Sequence, residues 1–143
     1  MDLSTLYTEI ILQHSRSSQN RRHLPCATCH ERGHNPSCGD DIVLELQLEG
    51  GRVVDAAFTG QGCAISQAST SIMIDLIKGK TEEEARELAE TFLAMIKHEL
   101  PQGAELDVLG DAVALQGVAQ MPARVKCAVL AWHTLQQAMK TGA

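Results

Sequence analysis

The stretch "DIVLELQLEGGRVVDAAFTGQGC", residues 41–63, decides the fold. Ile42, Leu44, Leu46 and Leu48 alternate with Val43, Glu45, Gln47 and Glu49, the period-2 pattern of a half-buried strand. Gly50-Gly51 suits a two-residue turn with positive φ, and "RVVDAAFTG" returns as a second strand. A turn at 50 and 51 sets Glu49 opposite Arg52, Leu48 opposite Val53 and Ile42 opposite Thr59. Continued outward, the same register sets Cys38 opposite Cys63, unless a bulge near Gly60 or Gly62 shifts it. Asp40 falls on the same side as Cys38, because side-chain direction repeats every two residues. The hairpin therefore delivers two thiols and a carboxylate to one end of one face.

Outward from the hairpin the pattern becomes helical. From Ala64 the stripe Ile65, Ala68, Ile72, Met73, Leu76 and Ile77 predicts a helix stopped by Gly79. Cys63 stands at its N-terminus, where the helix dipole favours negative charge on sulfur. Thr81 with Glu84 forms a capping box. The helix it opens buries Ala85, Leu88, Phe92, Leu93 and Ile96 and ends before Pro101. A short helix is expected over "DAVALQGV", residues 111–118. Pro122 opens a final helix with the stripe Val125, Ala128, Val129, Trp132 and Met139, and Cys127 near its start. Upstream, Leu3, Leu6, Tyr7, Ile10 and Ile11 predict a first helix, with Ser4 as a candidate cap. Residues 15–37 are polar and basic and read as a long loop. His14, His98 and His133 lie in helical patterns and read as surface residues.

The 143 residues suit one domain, 1–143, with an aliphatic core, since aromatics make up only 3%. Twelve basic against 18 acidic residues give a net charge of −6, which argues against nucleic acid as a partner. No run approaches the roughly 18 apolar residues of a membrane span. The start "MDLSTLYTEI" is unlike a secretory signal, so a cytoplasmic protein is expected. Five cysteines in a reducing compartment read as metal or redox chemistry rather than a disulfide frame.

Cys38, Cys63 and Cys127 each fall at a strand end or helix start, and element ends meet at the edge of a small domain. With Asp40 they offer three sulfurs and an oxygen, a set suited to tetrahedral zinc or to iron in a cluster. The alternative is that they are buried structural cysteines. Cys26 and Cys29 form a separate C-x2-C in "HLPCATCHERGH", residues 23–34, beside His23, His30 and His34. Half a second zinc site, a redox or disulfide pair, and thiols on a loop all stay open for them.

The blocks "NPSCGD" (35–40), "GQGCAIS" (60–66) and "ALQGVAQMPARVKCAVLAW" (114–132) resemble the three signature blocks of the U-type iron–sulfur cluster assembly proteins, and the resemblance runs from about Leu3 to Ala138. It implies an α+β fold: a small antiparallel three-stranded sheet packed on one side by four to six helices, the third strand falling before Cys38. Lys126 stands where the scaffold (IscU-like) branch carries a histidine. "MPARVK" replaces its chaperone segment, and "GDAVALQG" marks a longer insert. These features are similar to the SufU-type branch. That branch implies a zinc site of Cys38, Asp40, Cys63 and Cys127. It also implies a pyridoxal-phosphate cysteine desulfurase (SufS-like) as partner, with Cys38 receiving the sulfur, and downstream cluster assembly proteins. The other branch implies a scaffold on which a transient iron–sulfur cluster is built.

Overall fold

The structure is a computed structural model that describes residues 3–17, 19–36, 39–100 and 106–141, with side chains described from Glu9 onward. Strands β1 (Cys29–Asn35), β2 (Asp40–Glu49) and β3 (Arg52–Gln61) form an antiparallel sheet in the order β1-β2-β3. Helices α1 (Leu3–Arg16), α2 (Ala64–Ile77), α3 (Glu82–Ile96) and α4 (Pro122–Thr141) surround it, with a 3₁₀ run over Asp107–Gln120 that kinks at Gly110. Helix α4 lies on β1 and β2, α2 lies on β3, and α3 and the 3₁₀ run complete the layer. The expected α+β architecture, with its third strand ahead of Cys38, is present. Ser4 lies inside α1 rather than capping it.

Glycines 50 and 51 turn the hairpin with φ of 60° and 77°, values at which a side chain would be strained. Beyond the turn the expected register fails. Leu48 pairs with Val53, but Gln47 pairs with Asp55, leaving Val54 as a one-residue bulge. Every later pair moves by one, so Ile42 faces Gly60 rather than Thr59, and the ladder ends at Asp41 with Gln61. The expected pairing of Cys38 with Cys63 falls on a residue, Cys38, that lies outside the described ones. The cause is visible in the side chains. Val53 and Phe58 are both buried, on the core side opposite Leu48 and Leu44, yet they are five residues apart. An odd separation on one face requires an inserted residue.

Ile42, Leu44 and Leu46 from β2 and Val53, Ala56 and Phe58 from β3 are at most 1% exposed. Each large side chain so buried contributes about 1.5–3 kcal/mol. Against them pack Ile72, Met73 and Ile77 of α2 and Trp132, Leu135 and Met139 of α4. Trp132 stacks on Phe92 of α3 with ring centroids 4.1 Å apart. Its Nε1–H donates to Ser69 Oγ at 2.9 Å, and Ser69 Oγ donates to the Ala128 carbonyl at 2.6 Å. A buried polar chain thereby ties α2 to α4.

The polar stretch expected to be a loop is built into the sheet. Asn20–Arg22 lie along the free edge of β3: Phe58 N–H donates to Asn20 O and Arg22 N–H to Phe58 O. The chain then crosses the outer face to reach β1. Its crossing buries Glu45, which alternation had assigned to solvent. The Glu45 carboxylate accepts the Leu24 N–H at 2.8 Å and faces His23 at 3.1 Å. His14 is also less exposed than its pattern implied: its side chain is 13% exposed and its Nδ1 lies 3.1 Å from Ser71 Oγ.

Candidate metal centre

Asp40 opens β2, Cys63 is the N-cap residue of α2, and Cys127 sits in the second turn of α4. An oxygen of Asp40 and the sulfurs of Cys63 and Cys127 all lie within 4.8 Å of one another. Asp40 and Cys127 are fully buried, while Cys63 is half-buried. Three of the four residues named from the sequence are thus brought together, from segments far apart in the chain. The fourth, Cys38, lies outside the described residues.

Local bonds fix two of these groups. Asp40 Oδ1 accepts the Cys63 N–H at 3.0 Å, so the carboxylate caps the helix that presents the thiol. Cys63 Sγ accepts the Ser66 N–H at 3.4 Å, drawing the sulfur over the first turn of α2. Gly62 makes this approach possible. A Cβ at that position would stand 2.6 Å from Asp40 Oδ1, closer than atoms pack. Cys127 is held from behind by the buried Ser69 bridge to its neighbour Ala128. Lys126 and Arg124 are exposed beside it.

The fit to a metal follows from the donors. Two thiols and a carboxylate within one small shell are the ligand types of borderline-soft zinc, and the same sulfurs suit iron in a cluster.

The C-x2-C pair lies elsewhere. Cys29 pairs with Leu46, at the turn end of the sheet. From Leu46 back to Asp40 is about 20 Å of strand at ~3.3 Å per residue. Both thiols are free, Cys26 exposed and Cys29 buried. Burial pushes the Cys29 thiol above its usual pKa, and the negative charge of Glu82 adds to the rise, with a backbone bond to Leu46 opposing it. Neither residue belongs to the donor cluster. Among the described residues no helix is long and apolar enough to cross a membrane.

Two groups escaped the sequence reading. Ser66, buried at 1%, sits against the candidate ligands, and its position three residues after the N-cap Cys63 was the available signal. Gly62 was the other, its signal being the G-x-G-C spacing.

Comparison with known proteins finds relatives along nearly the whole chain. Residues 6–128 match the NifU-like N-terminal domain. The chain is 42% identical over 139 residues to a zinc-dependent sulfurtransferase SufU of Bacillus subtilis, covering 95% of this chain and 90% of that one. It is 41% identical over 142 residues to an iron–sulfur cluster assembly scaffold protein IscU of Thermotoga maritima, covering 98% and 96%. A crystal structure of a putative iron–sulfur cluster assembly scaffold protein for the SUF system from Fervidobacterium islandicum superposes with a TM-score of 0.88. It is 38% identical, covering 94% of this chain and 97% of that one.

Proposed function

The chain belongs to the NifU-like N-terminal domain family, and from that premise we propose that it is a zinc-dependent sulfur acceptor in iron–sulfur cluster biogenesis. It takes persulfide sulfur from a pyridoxal-phosphate cysteine desulfurase. The observation that carries this reading is the gathering of Asp40, Cys63 and Cys127 donors within 4.8 Å at one end of the sheet. Cys38, one residue beyond Gly39 from Asp40, is the proposed fourth ligand and the acceptor thiol. Zinc held by this set keeps its thiols deprotonated at neutral pH and shields them from oxidation.

The chain's own residues do the rest. The Cys38 thiolate attacks the outer sulfur of the desulfurase persulfide. A new S–S bond forms on Cys38, the desulfurase S–S bond breaks, and its cysteine leaves as a thiolate with the electron pair. No external oxidant or reductant is needed, because the persulfide carries the oxidation state with it. Asp40 would hold the metal as a hard oxygen ligand among sulfurs while Cys38 engages the persulfide. Lys126 and Arg124, exposed beside Cys127, offset the negative charge of the ligand set and favour approach of an anionic persulfide.

The test is desulfurase turnover with and without this protein, alongside metal quantification. Stimulated sulfide release, one zinc per chain, and loss of stimulation in a folded Cys38→Ala variant are expected. Undiminished stimulation in that variant would remove Cys38 from its role. A second reading, a scaffold on which an iron–sulfur cluster is assembled, is favoured by the scaffold proteins among the relatives. Iron and acid-labile sulfide in place of zinc would select it. Lys126, in place of a further cluster ligand, favours the sulfur acceptor.

A further inference from the structure

Asp40 has two partners to serve with one carboxylate. Its Oδ1 caps α2 by accepting the Cys63 N–H at 3.0 Å, yet the reading above also asks its carboxylate to be a metal ligand. In a capping box the N-cap N–H is bonded by the side chain of the third helical residue. In α2 that residue is Ser66, and Asp40 has taken its place. The Ser66 hydroxyl is buried, 1% exposed, and among the described residues it has no hydrogen-bond partner. It is also close by: a Cβ on Gly62 would lie 2.6 Å from Asp40 Oδ1 and 3.1 Å from Ser66 Oγ. An unpaired buried hydroxyl is unfavourable, and a group kept in that condition beside a reactive site points to another state in which it is paired.

We propose that Ser66 is the reserve cap of α2. When Asp40 swings its Oδ1 away from the Cys63 N–H to engage the metal, the Ser66 hydroxyl accepts that N–H. The helix keeps its first donor satisfied in both states, and the carboxylate moves between helix and metal without leaving a buried orphan. Ser66 touches no reacting atom. It is a positioning residue that acts through Asp40 and Cys63, and its role rests on the ligand assignment of Asp40.

The experiment compares wild type, Ser66→Ala and Ser66→Thr, each metal-free and zinc-loaded, by chelator competition, thermal melting and the NMR resonance of the Cys63 amide. Metal-free Ser66→Ala should melt no lower than wild type, because its hydroxyl has no bond to lose. Its zinc affinity should fall by roughly 10-fold, the usual effect of removing an outer-shell partner, and Ser66→Thr should recover most of it. In wild type the Cys63 amide proton should shift upfield on zinc loading, as a hydroxyl replaces a carboxylate acceptor. In Ser66→Ala it should lose exchange protection. Wild-type zinc affinity in Ser66→Ala, with an unmoved Cys63 amide in the wild type, overturns the reserve cap. Asp40→Ala, measured in parallel, separates the two ideas: weakened zinc there with normal zinc in Ser66→Ala sinks only the reserve cap. Wild-type affinity in Asp40→Ala sinks the ligand assignment itself.

Discussion

At the scale of single residues, Asp40 and Gly62 decide whether the donor cluster exists. Asp40→Asn retains an oxygen for the Cys63 N–H but loses the charge, so its metal-free stability should stay near wild type while its zinc affinity falls. Asp40→Ala loses both, but the Ser66 hydroxyl is left to accept the Cys63 N–H, so its metal-free stability should fall by less than the ~1 kcal/mol of one net hydrogen bond. Urea denaturation of the metal-free proteins and chelator competition measure the two effects separately. Gly62→Ala drives a methyl group into Asp40 Oδ1. It should cost about 1–3 kcal/mol of unfolding free energy in urea, the range for overpacking, and weaken zinc in the same variant. Three of the five cysteines were marked for this site by their places at strand ends and helix starts, whereas Asp40, one of 18 acidic residues, was marked by its place beside Cys38. Glu45 was not legible, since a glutamate announces nothing until a second segment buries it, and Ser66 offered only its place three residues after Cys63. The segment from Asn20 to Thr28 has no periodicity by which its path over Glu45 could be traced.

At the scale of elements, the bulge at Val54 sets the phase of β3 and places Asp55 next to the arm that crosses the sheet. Asp55 accepts two bonds from Arg22 Nη2, at 2.9 and 3.0 Å, and has Lys78 Nζ at 3.7 Å. Burial tends to raise the Asp55 pKa. The Arg22 bonds, the Ala56 N–H and the charges of Arg22 and Lys78 outweigh it, so the folded value lies below the usual carboxylate range. A depressed folded pKa means stability that is fully present above the unfolded value of about 4 and lost as pH falls through the folded value. The unfolding free energy of Asp55→Asn in urea should therefore trail wild type at pH 7, by about 1 kcal/mol for a partly exposed pair. The gap should narrow progressively below about pH 4. A gap unchanged down to pH 2 would show that the carboxylate charge is not what holds the arm. The hairpin, α2 and the Thr81–Glu84 capping box were all readable, since each rests on local periodicity or a local bond. The bulge was readable only through the odd spacing of Val53 and Phe58. Simple alternation along β2 conceals it, because the insertion lies on the other strand.

At the scale of the whole molecule, the donors come from three segments that only the folded chain unites. A metal bound to them therefore stabilises the native state alone, adding about 2.7 kcal/mol at a free concentration 100 times Kd. Calorimetry should show a lower Tm in chelator than in zinc. Cys26→Ser/Cys29→Ser should keep that whole increment, because the pair lies about 20 Å along the sheet from Asp40. Loss of the increment in the double variant would place those thiols in the metal's folded environment. That α4 lies over β1 and β2 with Cys127 at the right end was not derivable from local pattern. Packing of distant helices depends on shapes that no window of sequence contains, and the expectation that Cys127 joins the hairpin rested only on element ends meeting at one edge of a small domain. The same packing places the chain's single tryptophan at an informative point. Trp132 is stacked on α3, bonded to α2 through Ser69, and linked through that hydroxyl to the backbone beside Cys127. The protein therefore carries its own unlabelled optical gauge. The emission of one indole reports any slip of α4 against α2 as cargo arrives or leaves, in real time and at micromolar concentration.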